Sequence, residues 1–355
     1  MSIYIKSASG VSPQPLYDGS SLLPVIISKT GNRLTCIEPD YSGIIDAKLI
    51  RRMSRIIKMG VAAAMQCLKE AELQMPDAII TGTAYGCLQD TETFLTRLIE
   101  FKEELLTPTA FIQSTHNTVS AQIALMLQCH NYNNTYVHRG FSFESALLDA
   151  MMMLKENEIN NALVGAADEI IDASHTILSR FGLYKQEDIA IEKLFESNTK
   201  GTIDGEGAVF FTLTNEASEK NFAALDAVTT FYKPADINET KEQLLSFLAS
   251  QSITADDTDL VITGKNGDIK NDAVYEAINT AFFANTQIIN YKHLCGEYPT
   301  ASAYALWLGA AIIKEGSVPA SLLQQNQSSK KPVKKLLIYN HYQNTHHALY
   351  LLSAC

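Results

Sequence analysis

The chain has 355 residues, 46% hydrophobic and 19% charged, a balance that fits a globular protein with a large core and excludes disordered and collagen-like chains. Its 39 acidic against 28 basic residues leave a formal charge of −11, which opposes binding to nucleic acid or an anionic membrane, since no basic surface is large enough to neutralise a row of phosphates. The six cysteines (Cys36, Cys67, Cys87, Cys129, Cys295, Cys355) are scattered without a C-x-x-C pair, so neither a disulfide framework nor a zinc site is expected.

Short β-rich runs and helical patterns alternate along the chain. The residues from Met1 to Lys6 show no basic region followed by a long apolar stretch, and Ile3–Ile5 reads as a strand. Ile50, Met53, Ile57, Val61, Ala64 and Leu68 recur at spacings of three and four, which predicts one helix burying that face while Arg51, Arg52, Arg55 and Lys58 point elsewhere. Further strands are expected at Ala78–Thr81, Thr135–Val137, Ala162–Val164, Ala208–Leu213, Leu260–Thr263, Gln287–Ile289, Lys335–Tyr339 and Ala348–Leu352. The longest strongly apolar run, Ala305–Ile313, is half of what a bilayer span needs, and a cytoplasmic protein is expected. Lys330, Lys331, Lys334 and Lys335 form one short basic run, read as a solvated loop or, alternatively, a weak docking site for an acidic partner. The glycine-rich segment Asp204–Gly207 is not a phosphate loop, because no Lys-Ser/Thr follows it.

Alternation of this kind predicts an α/β protein with helices covering the sheets. The hexapeptides Asp77–Gly82 and Asp259–Gly264 are nearly the same strand-then-glycine unit, each preceded by an amphipathic helix and followed by a helix, a second strand, a turn and another helix. Two structurally related halves, 1–220 and 221–355, are therefore expected.

The stretch from Asn134 to Ala150 has the layout of a strand, a tight turn and a buried helix. Enzymes place a nucleophile at such a turn, where one side chain is exposed above a helix N-terminus. Here the bend carries Gly140, which has no side chain. A rival reading takes Gly140-Phe-Ser142-Phe-Glu144 as an approximate G-x-S-x-G elbow, with Ser142 as nucleophile and His116, His138, His346 or His347 as base. Its second glycine is missing, and a serine on the first helical turn also serves as a cap.

Several motifs in order resemble the β-ketoacyl-acyl-carrier-protein synthases of the thiolase superfamily. Arg51-Arg-Met-Ser-Arg55 followed by Ala62-Ala-Ala-Met is similar to the R-x-M-x-R helix, and Ile80–Gly86 to the V-G-S-x-x-G turn. Pro108–Ile112 with Asn117–Ala124 resembles P-x-x-x-I…N-x-x-A-x-x-I-A, and Phe195-Glu with Asp204–Ala208 resembles F-D…G-E-G-A. The likeness spans nearly the whole chain and implies a thiolase-like five-layer αβαβα fold of two related halves.

The resemblance also implies where chemistry would sit. The family uses a cysteine nucleophile and two histidines that stabilise the enolate formed when a malonyl thioester loses carbon dioxide. Counting back from Val164-Gly-Ala-Ala-Asp168, which stands for A-G-G-x-E, the cysteine position falls on Gly140. The H-G-T-x-T-P-x-N-D loop is read as Gly264–Asp272, putting Gly264 at the first histidine. In Lys292-His-Leu-Cys-Gly-Glu297 the family's lysine is retained as Lys292, and Glu297 replaces the second histidine. The G-F-G-G loop near the end is read as Asn340–His347, without its glycines.

Gly140 cannot form a thioester, and an ionised Glu297 would face a developing enolate with like charge. No cysteine lies between Cys129 and Cys295 to rescue the alignment. The implied function is that of a chain-length factor, a condensing-enzyme-like subunit without the active cysteine that pairs with an active synthase, although such subunits usually carry glutamine where Gly140 sits. The implied partners are acyl carrier protein and a cysteine-containing synthase, or a second copy of the chain, joined through strands of the first half; no cofactor or metal is implied. The alternatives are an active 3-oxoacyl synthase with a non-standard site and a serine acyltransferase or hydrolase using Ser142. Lys292 is expected to pair with Glu297 five residues on, in preference to acting as a base. Cys295 is expected to be buried and inert rather than a replacement nucleophile. His138-Arg139 is read as a site for a carrier-linked acid or filling for the emptied pocket, or else His138 is a core histidine paired with a backbone carbonyl.

Overall fold

The computed structural model describes residues 2–16, 22–104, 106–323 and 332–355, so Lys330 and Lys331 of the basic run lie outside the described residues. Ten strands form the main sheet: β1 (Ile3–Val11), β2 (Ala78–Gly82), β3 (Tyr132–Tyr136), β4 (Asn161–Asp168), β5 (Gly207–Thr214), β6 (Ala223–Tyr232), β7 (Leu260–Thr263), β8 (Gln287–Asn290), β9 (Lys335–Tyr342) and β10 (His346–Ser353). Six helices cover them: α1 (Arg55–Glu70), α2 (Thr118–Leu127), α3 (Ser142–Lys155), α4 (Ile237–Ser250), α5 (Ile269–Phe282) and α6 (Ser302–Glu315).

Most of these strands are apolar on both faces, so each face must be covered. In β2, Ala78 and Ile80 join one core while Ile79 joins another; in β9, Leu336 and Ile338 face one core and Leu337 and Tyr339 the opposite one. The central core holds α3 and α6 between the two halves of the sheet, for example Phe143, Leu147 and Met151 with Leu306, Leu308 and Ile312. An outer core packs α1 and α2 on one half through Ile57, Val61, Val119 and Ile123. Its counterpart packs α4 and α5 on the other through Leu244, Leu248, Tyr275 and Ile278. This is the expected five-layer αβαβα arrangement.

The strand order is β8-β7-β9-β10-β6-β1-β5-β4-β2-β3. Read outward from the centre, β1-β5-β4-β2-β3 and β6-β10-β9-β7-β8 are the same sequence shifted by five, with the same parallel and antiparallel pairings. Among the described residues the two sets pair through Ile3, Tyr4 and Ile5 of β1, opposite Leu225, Ala224 and Ala223 of β6. We propose that the chain divides between β5 and β6, near residue 220. Among the described residues no helix is long and apolar enough to cross a membrane.

Two elements differ from the sequence expectation. Strand β6 was not anticipated, because Asp226 interrupts its apolar pattern; the register slips between Leu225 and Ala227, and Asp226 accepts a hydrogen bond from Ser353 Oγ at 3.1 Å. The helix expected from Ile50 starts at Arg55. Ile50 belongs to a separate turn, Ala47–Ile50, capped by Asp46, and Ser54 is extended at φ −68° and ψ 172°. Arg55 is also not on a merely solvated face. Its guanidinium donates to both oxygens of buried Glu206, at 2.6 and 2.5 Å, and Glu206 also accepts from the Cys36 and Ile170 N–H groups.

The fold sets up the site by bringing strand ends together. The C-terminal ends of β3 and β7 lead to Gly140 and Gly264, that of β8 leads to Lys292, and β9 ends at Tyr342. In parallel sheets, that rim is where loops and helix N-termini meet ligands.

Candidate functional site

Gly140 is the middle residue of a 3-10 turn, Arg139–Phe141, between β3 and α3. The bend is tight enough to put Arg139 in the left-handed region at φ +50°, which a branched or long side chain adopts only under constraint. Ser142 supplies that constraint. Its Oγ donates to the Arg139 carbonyl and accepts from the His138 N–H, both at 2.8 Å, and the residue is fully buried. No histidine ring among the described residues bonds to Ser142; the His138 ring meets Ser145 Oγ at 3.3 Å. The structure thus places Ser142 as the brace of the bend.

The space above Gly140 is taken. A β-carbon built at this position lies 2.8 Å from Tyr342 Cβ, 2.9 Å from His346 Cβ and 3.0 Å from His346 Cγ. Both residues belong to the β9–β10 hairpin, where Tyr342 pairs with His346 across a three-residue turn. Gln343 and Asn344 in that turn have φ of +53° and +48°. The segment that resembles a glycine-rich gating loop is therefore a closed hairpin pressed on the bend.

The same exclusion holds at Gly264. A β-carbon there collides with Asn340 Oδ1, comes within 2.5 Å of the Tyr275 hydroxyl and 3.3 Å of Lys292 Cε. These groups are locked by one another. The Tyr291 hydroxyl donates to Asn340 Oδ1 at 2.8 Å, and the Tyr275 hydroxyl accepts from the His341 N–H at 2.7 Å. The Tyr275 ring stacks on His341 at 4.3 Å and 8°. His341 Nδ1 accepts from the Asn344 N–H at 3.1 Å, so the proton sits on Nε2 and is donated to the Asn271 carbonyl, also at 3.1 Å. Burial holds this imidazole well below its ordinary pKa.

Lys292 and Glu297 form a buried ion pair. The Lys292 Nζ lies 2.6 Å from each carboxylate oxygen, Asn266 Nδ2 donates to Oε2 at 2.6 Å, and Lys292 reaches the His341 carbonyl at 3.4 Å. The two residues are 1% and 5% exposed. Burial pushes the Glu297 carboxyl up, and Lys292 and the Asn266 amide pull it back. Cys295 is buried, with its thiol against the Gly296 carbonyl at 3.3 Å, and burial pushes that thiol up and away from the thiolate.

Voids of about 10 Å³ lie beside Thr83 and His116 and beside Tyr85 and Asp204. A cavity of about 1020 Å³ lies elsewhere, against Phe222, Trp307 and Lys314. Sequence reasoning brought Gly140, Gly264, Lys292 and Glu297 to one region but missed the residues that fill it. Tyr275 and Tyr291 carry no motif; the available signal was the bulk of Asn340, His341 and Tyr342 where glycines were expected.

Residues 38–200 match the family described as beta-ketoacyl synthase, N-terminal domain. No curated protein matches the chain. Among solved structures it is similar to the ishigamide ketosynthase/chain length factor, with a TM-score of 0.81 and 15% identity over 100% of this chain and 99% of that one. It is also similar to the Xenorhabdus doucetiae ketosynthase ApeO in complex with its chain length factor ApeC, at 0.73 and 18% over 100% and 98%. A third is AntDE:AntF, a type II polyketide acyl-carrier protein in complex with its ketosynthase, at 0.74 and 16% over 100% and 99%. At these identities the likeness establishes the fold, which is that of the ketosynthases. The resemblance read from the motifs holds.

Two outcomes follow from the buried charges. Glu297→Ala leaves the Lys292 ammonium buried without its carboxylate and lowers unfolding stability in urea by about 3–5 kcal/mol, whereas Lys292→Met with Glu297→Leu together stays close to the parent. His347 is stacked on Phe231 at 4.8 Å and bonded to the Tyr339 hydroxyl at 3.0 Å, and burial pushes its pKa down to about 4. A histidine depressed in the folded state contributes stability above its unfolded value near 6.5 and loses it as pH falls. Between pH 6.5 and 4 the parent therefore weakens relative to His347→Phe, by up to about 3 kcal/mol, measured by denaturation at each pH.

Proposed function

We propose that this chain is a non-catalytic, chain-length-factor-like subunit that pairs with a cysteine-bearing ketosynthase in acyl-carrier-protein-dependent polyketide or fatty-acid synthesis. The observation that carries this reading is steric: neither Gly140 nor Gly264 leaves room for a side chain. Decarboxylative condensation needs a nucleophile to hold the acyl group and donors aimed at the enolate. The third position holds a carboxylate neutralised by Lys292, an arrangement suited to holding structure rather than to donating a proton.

A pairing role is supported by the sheet edge. Strand β3 ends the sheet, so among the described residues one side of its backbone has no partner strand. Around it, Tyr132, Val137, Leu148 and Met152 are exposed, with Phe111, Ile112 and Leu125 exposed on neighbouring segments. Apolar side chains exposed on an edge strand and on the helices that pack against it suit a protein interface. The similar structures named above include a ketosynthase with its chain length factor and a ketosynthase with its acyl-carrier protein, and the proposed partners are of those two kinds.

The test incubates the purified chain with acyl- and malonyl-carrier protein, alone and with a cysteine-bearing synthase. Intact mass is expected to show no covalent acylation of the lone chain, and the synthase is expected to change its product length when the chain is added. Acylation at Ser142 or Cys295, or condensed product from the lone chain, contradicts the non-catalytic reading. An unchanged product length, or self-association with no binding to the synthase, contradicts the chain-length role.

A further inference from the structure

The large cleft lies on the rim of the sheet opposite the candidate site. Thr214, the last residue of β5, pairs with Asn161, the first of β4, so this is the rim at which β4 begins, whereas Gly140 and Gly264 follow the ends of β3 and β7. Its volume of about 1020 Å³ is at the top of the range of about 300–1,000 Å³ that small-ligand pockets occupy. Among the described residues its floor is apolar, made by Ala8, Leu16, Leu22, Phe222, Trp307 and Ala311.

Local structure explains the floor. Along α6, Trp307, Ala311 and Lys314 recur at i, i+4 and i+7 and share one face, with about 10 Å of helix axis from the first to the last. Trp307 packs against Tyr304 at 5.6 Å, and Ala311 is a single methyl where a longer side chain would fill the space. Phe222 is held beside β1, its N–H donating to the Ile5 carbonyl at 2.7 Å. Apolar walls with nothing against them forgo dispersion contacts that a filled cleft would make, so an occupant with an apolar body gains by entering.

Lys314 stands over this floor in a fixed position. Its Nζ lies 4.0 Å from the centroid of the Phe222 ring and donates to the Lys220 carbonyl at 3.0 Å. It takes part in no ion pair among the described residues, and burial lowers its pKa from the ordinary lysine value. The ammonium therefore has hydrogens left to donate and a charge without a carboxylate in contact. The acids nearby are engaged or solvated. Glu315 accepts from the Leu22 N–H at 3.2 Å, and Glu72 and Glu216 are exposed at the rim. Glu70 acts on Lys314 from beyond ion-pair distance; it accepts from the Gln66 amide at 2.8 Å, and burial pushes its carboxyl up.

We propose that this cleft binds a free medium-chain carboxylic acid, with its carboxylate on Lys314 and its alkyl chain along Phe222, Ala311 and Trp307. One ammonium neutralises one negative charge, whereas a doubly charged head such as phosphate would be repelled by the four carboxyl groups around the cleft. The site is independent of the proposed function, since it uses none of the residues at the opposite rim.

Trp307 is the single tryptophan of the chain, so its emission reports on this cleft alone. The test titrates the full chain with decanoate, decanol and decylamine below their micelle concentrations, following that emission and confirming affinities by calorimetry. Decanoate is expected to change the emission saturably and to bind at least about tenfold more tightly than the other two. Lys314→Met, which keeps an apolar stem over Phe222, is expected to abolish the preference for decanoate over decanol while leaving decanol binding unchanged. Ala311→Leu, which fills the floor, is expected to weaken all three about tenfold or more. Thermal unfolding of each variant checks that it is folded. No binding of decanoate, equal or tighter binding of decanol or decylamine, or a decanoate preference that survives Lys314→Met overturns the site. The titrations use the chain without a synthase, so their failure leaves the proposed function standing.

Discussion

The contact between the β9–β10 hairpin and the strand ends is the constraint on which the rest of the site depends. Three consecutive residues of β9 each reach one of the groups at this rim. Asn340 fills the space over Gly264, the His341 carbonyl receives Lys292, and Tyr342 lies on Gly140. The packing over Gly264 and Gly140 and the seat of the Lys292–Glu297 pair are therefore physically coupled. A side chain restored at one position would have to displace a strand held on both edges by β7 and β10.

Coupling of this kind explains why the interior is aromatic and neutral. A substrate-sized cavity left behind by small residues would cost stability in proportion to its volume. Tyr275, Tyr291, Tyr339 and His341 occupy that interior and satisfy one another through hydroxyl, amide and ring contacts. Lys292 and Glu297 survive in it as a pair because each removes the other's unpaired charge, and Asn266 satisfies one further oxygen. The stability of the region thus depends on polar groups remaining matched.

Much of this was legible in the sequence. Strands apolar on both faces and the twin hexapeptides ending at Gly82 and Gly264 point to a layered fold with a repeated order, and the sheet shows that order. Gly140, Gly264 and Lys292 could be placed at one rim because each follows the end of a strand. What was not legible is what fills the void, since Tyr275 and Tyr291 reach the site from a helix face and a strand end with no local pattern to mark them. Strand β6 was hidden by one polar residue at a bulge, and the start of α1 by a helical spacing that ran across a break in the backbone. Local pattern reports periodicity; it does not report where tertiary contacts interrupt it.

The central claim is that the condensing site is closed by packing and not merely missing one atom. Gly140→Cys tests it most directly, read by peptide mapping after incubation with an acyl thioester and with iodoacetamide, alongside thermal unfolding. The account predicts a destabilised protein with no acyl adduct at position 140, because the new β-carbon would have to displace Tyr342 and His346. Stoichiometric acylation at that position with unchanged stability would contradict it.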